Sequence, residues 1–309
     1  MKRVWIYSAV VAAASVCGCA TRPGVEWNSL FLSKSEGFQH SCIEQKDGKP
    51  SHVDKILTGL FAEQGGKVLC TKDADLINAE NLKKYKLVVF YTQGNICNMG
   101  DKDKGKIMGP NGVADLIAWV KNGGGYLGFH CASDTFHTSD AQPNSPYLEM
   151  VGGEFRGHGK QFKGTLRVVD TKHPAMVHIP QDFQIYDEIY TFKNYNRKSM
   201  HVLAMWDSGE ERKNPDQNGR YDMPNFPIIW CSQVGKGRVY FNALGHREDV
   251  WENPVMQRAV VDAANWAMGK GPADAAPNFD KVVPAADVVK IETHVPTPPP
   301  PAAPAAPKK

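Results

Sequence analysis

Apolar and polar positions along the chain alternate between two periods. In "VDKILTGLFAEQ", Val53, Ile56, Leu57, Leu60 and Phe61 recur at helical spacing and predict an amphipathic helix over 53–64. The same period predicts helices in "GVADLIAWVKNGG" (112–124), stopped by glycine, and in "NPVMQRAVVDAANWAMG" (253–269), with a short one in "NAENLKKY". Between them run short apolar segments, "NSLFLSK" (28–34), "KVLCTKD" (67–73), "KLVVFYTQ" (86–93) and "GYLGFHC" (125–131), which read as strands. Strands alternating with helices, some of them apolar on both faces, predict a parallel sheet covered on both sides. The second half adds strands in "TLRVVD", "QIYDEIYTF", "HVLAMWD", "FPIIWCSQ" and "GRVYFNALGH". "SQVGKGRVYFN" reads as a hairpin turning at Gly235 and Gly237. The pattern therefore predicts an α/β fold: a flavodoxin-like three-layer sandwich with a mostly parallel central sheet and added antiparallel strands.

The two ends depart from this pattern. "MKRVWIYSAVVAAASVCGCA" has a basic start, an apolar run shorter than the about 20 residues a bilayer span needs, and then Val16-Cys17-Gly18-Cys19. It predicts a lipoprotein signal peptide over residues 1–19, with Cys19 as the lipidated residue. The expected location is the cell envelope, with a membrane anchor through lipid; Ala20 after the cysteine favours the outer membrane, facing the periplasm. From 271 to 309 the chain turns Pro/Ala-rich and ends "PTPPPPAAPAAPKK", the composition of an extended, disordered spacer. The folded unit is thus expected over 27–270. With 42% hydrophobic and 22% charged residues it is an ordinary globular composition, and a net charge of +3 without basic clusters gives no reason to expect a nucleic-acid partner. There is no C-x-x-C pair for a thiolate zinc site, and Cys42 and Cys97, both in predicted strand-end loops, are candidates for a disulfide.

In an open α/β sheet, ligands bind beyond the carboxyl ends of the strands. Polar residues sit at several of those ends: His40 after the first strand, Gln93 after the third, His130 and Asp134 after the fourth, His246 and Arg247 after the last. If the strands are right, these segments meet on one rim. "VGGEFRGHGKQF" adds Glu154 and His158 around a glycine-rich turn, and "YDEIYTF" adds Asp187, Glu188 and Tyr190, with Glu188 and Tyr190 on one strand face. Histidine beside carboxylate suits general acid–base work. Three histidines, His130, His158 and His246, would also suit a divalent metal, zinc first, with Glu154 or Glu188 nearby. No local zinc motif supports this, and no cofactor is certain. His137, His173, His178 and His201 read as structural.

Taken in order, "GGGYLGFHCASDTF", "MVGGEFRGH", "HPAMVHIP", "YDEIYTF", "VGKGRVYFNALGH" and the terminal Trp266-Ala267…Gly269 resemble the ThuA-like (trehalose utilisation) family over nearly all of 28–269. The resemblance implies a fold similar to class I glutamine amidotransferases, whose nucleophile sits on an elbow after the strand matching "GYLGFHC". Here the elbow position holds His130 and the cysteine, Cys131, comes one residue late, so glutamine hydrolysis is not expected. The resemblance also makes a small carbohydrate the leading ligand, with keto-glycoside intermediates of disaccharide use in view. Three readings compete. In the first, an envelope lipoprotein enzyme acts on a glycoside or keto-sugar: His130, Glu188, His246 and Glu154 are catalytic, and His40, Gln93, Asp134, His158, Tyr190 and Arg247 bind substrate. The second is a non-catalytic carbohydrate-binding module. The third is a metal-dependent hydrolase.

Overall fold

A computed structural model describes residues 27–286. Strands β1 (Trp27–Leu32), β2 (Gly66–Thr71), β3 (Leu87–Phe90), β4 (Gly125–Phe129), β5 (Glu154–His158), β6 (Phe162–Val168), β7 (Asp182–Asp187), β8 (Tyr190–Lys193), β9 (His201–Asp207), β10 (Phe226–Val234) and β11 (Gly237–Asn242) alternate at first with helices and then follow one another. The helices are α1 (His52–Glu63), α2 (Ala79–Leu82), α3 (Gly112–Lys121), α4 (Pro146–Val151), α5 (Glu248–Glu252), α6 (Pro254–Ala267) and α7 (Phe279–Val282). The main sheet has nine strands in the order β2-β1-β3-β4-β11-β10-β9-β6-β7. Its first five strands run parallel; from β11 through β10, β9, β6 and β7 every pairing is antiparallel.

Strands β1, β3, β4 and β11 are buried along most of their length, as a sheet covered on both faces requires, whereas the edge strand β2 is largely half-buried or exposed. One helical layer joins α1, α5 and α6, with α6 against β4 and β11; the other joins α2, α3 and α4. The result is the flavodoxin-like sandwich. Helix α1 starts in a capping box: Ser51 Oγ accepts from Asp54 N, and Asp54 Oδ2 accepts from Ser51 N at 2.8 Å. The hairpin β10–β11 turns through Gly235 at φ +62°, where a Cβ would also press on the Lys121 backbone. Among the described residues no helix is long and apolar enough to cross a membrane.

The structure departs from the expectations in four places. "QIYDEIYTF" is not one strand: β7 ends at Asp187, the chain leaves the main sheet, and β8 pairs with β5 in a separate two-stranded ribbon. The break falls at Asp187 and Glu188, whose carboxylates are engaged by Gly245 N–H and by imidazoles. The supposed glycine turn at Glu154–His158 is β5 itself, bulged between Phe155 and Gly157. The folded unit does not stop at 270. Asn278 brackets Val202 with two hydrogen bonds, Phe279 is buried beside Tyr195 under the Arg197 guanidinium, and Val283 and Ala286 are also buried. The spacer expected from 271 therefore loses its first residues to the core, because "NFDKVV" supplies an apolar anchor; the remainder lies outside the described residues, as does the leader with Cys19. Finally, Cys42 and Cys97 are both free. Cys42 is instead buried against the Tyr91 hydroxyl and Gly245 O.

Candidate active site

The chain segments leaving β1, β3, β4 and β11 meet at the carboxyl edge of the parallel half, as the strand-end argument predicts. Bridges Ser35–Gln93 and Gly94–Thr135 hold three of them side by side. Beneath them, buried Lys34 donates to Gly105 O at 2.6 Å, and Asp103 accepts from Ser35 N at 3.0 Å, fixing the exit of β1.

His130 occupies the turn from β4 into a 3-10 turn over His130–Asp134. Its φ of +43° is left-handed, a conformation that costs a non-glycine residue about 1–3 kcal/mol and is concentrated at functional sites. The ring is fully buried. Nδ1 lies 2.8 Å from Ala243 O, and since a carbonyl only accepts, Nδ1 carries the hydrogen. The other ring nitrogen, Nε2, faces Glu188 Oε1 3.5 Å away. Cys131 points into the core, and burial pushes its thiol well above the ordinary range. The elbow thus carries the imidazole and hides the thiol.

Glu188 is the hub. Oε1 is 3.0 Å from His246 Nδ1, and Oε2 is 3.0 Å from His158 Nδ1. Burial works to raise its pKa, but contacts with His130, His158 and His246 outweigh it and hold the carboxylate ionised well below the usual range. His40 completes the cluster; its ring stands edge-on to His130 and His246, with centroids 4.9 Å from each. Burial, followed by the neighbouring imidazoles, pushes its pKa well below that of a free histidine. His40, His130, Glu188 and His246 each bring one donor atom to a set lying within 4.8 Å of one another, close enough to share one metal ion. Tyr190 packs on His130 at 4.0 Å and on Phe155 at 4.1 Å. Asp187 Oδ2 accepts from Gly245 N at 2.7 Å, and Gly245 O accepts from Tyr91 at 3.0 Å and Trp251 at 2.9 Å, so the loop that presents His246 is clamped on both sides.

The family model for trehalose utilisation, ThuA, matches residues 28–267. The chain belongs to the ThuA family. Among solved structures, a ThuA-like protein of Bacteroides uniformis ATCC 8492 matches at TM-score 0.56 and 19% identity, over 82% of this chain and 95% of its own. Another, from Parabacteroides merdae ATCC 43184, matches at TM-score 0.58 and 15% identity, over 79% and 91%. At those identities the likeness speaks for the fold alone. No curated protein matches the chain. The family description supports a role in carbohydrate utilisation.

In this ThuA domain the expected site residues divide into groups. His40, His130, Glu188, His246, His158 and Tyr190 come together. His158 does not join the convergent donors as expected; it lies on the outer oxygen of Glu188, and His40, in the segment after β1, takes its place with its ring edge-on to His130. Glu154, Asp134 and Gln93 form a neighbouring network. Glu154 binds His137 Nδ1 at 3.0 Å, Thr138, Asn194 and Lys193, and these contacts overcome its burial to hold its pKa down at about 2. His137 also bonds Asp134, and Gln93 joins Asp134 to Gly37 N. With every Glu154 oxygen engaged, this carboxylate orders the 134–138 segment rather than entering the imidazole cluster. Arg247 turns aside to Asp249, Gln161 and the Tyr186 ring. Sequence reasoning passed over Tyr91 and the inward side of Asp187: both look like ordinary strand residues, and only the fold of the Gly245 loop gives them a partner.

Proposed function

We propose that this ThuA protein is a carbohydrate-processing enzyme that moves a proton next to the carbonyl of a keto-sugar or keto-glycoside at the Glu188 centre. The observation that carries the reading is the Glu188–His158 pair at the edge of the cluster. His158 Nδ1 faces both Glu188 Oε2 and Gly159 O, two acceptors, so it carries the hydrogen and leaves Nε2 as the basic atom, while the Glu188 contact raises the ring's pKa. The His158 side chain is 41% exposed, whereas His130 is wholly enclosed with its hydrogen committed to Ala243; the base role expected of His130 therefore passes to His158. Removing a proton beside a carbonyl builds negative charge on the carbonyl oxygen. The buried rings of His40 and His130 and the partly exposed ring of His246 line the wall beside that charge. Phe155, half-buried and backed by the enclosed Tyr190 ring, offers an apolar face of the kind that packs on sugar C–H surfaces.

Turnover of a 3-keto-glycoside, followed by NMR, tests this. His158→Gln and Glu188→Gln should each lower kcat by at least about 100-fold while circular dichroism stays native. Wild-type turnover in His158→Gln would overturn the assignment.

The leader is read as a lipid anchor of the cell envelope, supported by Val16-Cys17-Gly18-Cys19 lying upstream of the family match. Labelling with a fatty-acid analogue should mark the full chain and not Cys19→Ser; equal labelling of both would refute the anchor.

A further inference from the structure

We propose that His40, His130, His246 and Glu188 form a binding site for one divalent first-row transition cation of the zinc class. The inference deepens the reading of the same centre, but it can be measured without turnover.

Three independent features point to a cation. The first is unmet bonding capacity. His40 Nδ1 and His130 Nε2 are shielded from solvent and have no hydrogen-bond partner in the protein, and His246 Nδ1, equally shielded, meets Glu188 Oε1 at 3.0 Å without hydrogen-bond geometry. Leaving one buried polar atom unsatisfied costs about 1–3 kcal/mol, and three in one place need a common explanation. Two of these atoms are aimed at the same carboxylate oxygen, Glu188 Oε1.

The second is ring geometry. The three imidazole planes meet pairwise at 86°, 81° and 80°, with centroids 4.9, 4.9 and 5.4 Å apart. Edge-to-face contact is ordinary for aromatic rings, but here it accompanies convergence: one donor atom from each of His40, His130, His246 and Glu188 lies within 4.8 Å of the others.

The third is what surrounds the donors. His130 donates its other ring hydrogen to Ala243 O, the outer contact that fixes tautomer and orientation in metal-bound histidines. Glu188 is held through its second oxygen by His158, and the backbone next to His246 is fixed by Asp187. His158, the proposed base, thus also holds the carboxylate in place. The donor set decides the class. Imidazole nitrogen with one carboxylate suits zinc and its first-row neighbours, whereas magnesium and calcium require oxygen.

The test uses the folded chain stripped with chelator and titrated with cobalt(II) and zinc, with metal content measured by elemental analysis. One equivalent should bind per chain, with visible cobalt absorption of a low-symmetry site, and zinc should displace the cobalt. His246→Gln and His130→Gln should each weaken binding by at least about 100-fold, while His178→Gln, whose ring pairs with Asp262 elsewhere, should not. Thermal unfolding of each apo variant checks that it remains folded; should His130→Gln unfold, His246→Gln and His40→Gln carry the test. No stoichiometric metal, or unchanged affinity in His246→Gln, overturns the inference. Metal binding without keto-glycoside turnover would sink the proposed function and leave the site standing. Keto-glycoside turnover by a protein that takes up no stoichiometric metal would do the reverse.

Discussion

His173 gives this fold a specific sensitivity to acid. The ring is buried in the segment between β6 and β7, 4.9 Å from Trp266, with the Cys231 thiol 3.7 Å from Nε2. Its Nδ1 accepts from Ala175 N at 3.2 Å, so a proton added there would break that bond. Burial, and then the charge of neighbouring His201, lower its pKa to about 4; Asp170 and Asp274 oppose the shift and Arg238 adds to it. Above about pH 7.5 both folded and unfolded chains keep the ring neutral, and its contribution is fully present. As the pH falls, the unfolded chain takes up a proton that the folded chain refuses. Stability is then lost until the folded pKa is passed, to a limit of about 3 kcal/mol. Between about pH 7.5 and about pH 5 the loss from this residue is about 2 kcal/mol. Asn keeps an acceptor for Ala175 N but cannot titrate. His173→Asn should therefore be less stable at neutral pH, through lost packing, yet lose about 2 kcal/mol less than wild type on going to about pH 5. Urea denaturation at the two pH values measures the difference directly. Equal pH dependence in the two proteins would refute the reasoning, since the linkage has no other route through this residue.

Two further outcomes follow from the packing. Cys131→Ala should keep keto-glycoside turnover within about twofold and cost about 1 kcal/mol of stability, because the thiol faces the core; a 100-fold kinetic loss in a folded variant would restore it as the elbow's reactive group. Phe279→Ala should destabilise the protein by about 3 kcal/mol in chemical denaturation, the cost of emptying a fully buried aromatic site, whereas a loss under about 0.5 kcal/mol would mean that 272–286 is not part of the core.

What could be read from the sequence depended on how local the cause was. Strands β1 to β4 and helices α1, α3 and α6 carry their own periodicity, and their order dictates a parallel sheet, which in turn dictates the edge where a ligand binds. That chain of inference was enough to bring His40, His130 and His246 to one rim. It failed where a residue's partner lies far along the chain. Glu188 and Glu154 look equivalent in sequence, each an acid near a strand end with aromatic neighbours. Their difference comes from β7 breaking at Asp187, which hands Glu188 to the imidazoles, and from β5 pairing with β8, which hands Glu154 to Asn194 and Lys193. The exchange of His158 for His40 has the same origin. The inner donor set is decided by which loop passes closest over the elbow, and β1, the neighbour of β3 in the sheet, delivers His40 there. The tail misled for a different reason: its Pro/Ala composition is continuous from 271, but one buried Phe279 and two Asn278 bonds to Val202 suffice to fasten its first stretch. A site of this kind is therefore specified twice, by local pattern in where it lies and by long-range pairing in which side chains enter it. Substitutions at β5, β8 or the Gly245 loop can change the second without disturbing the first.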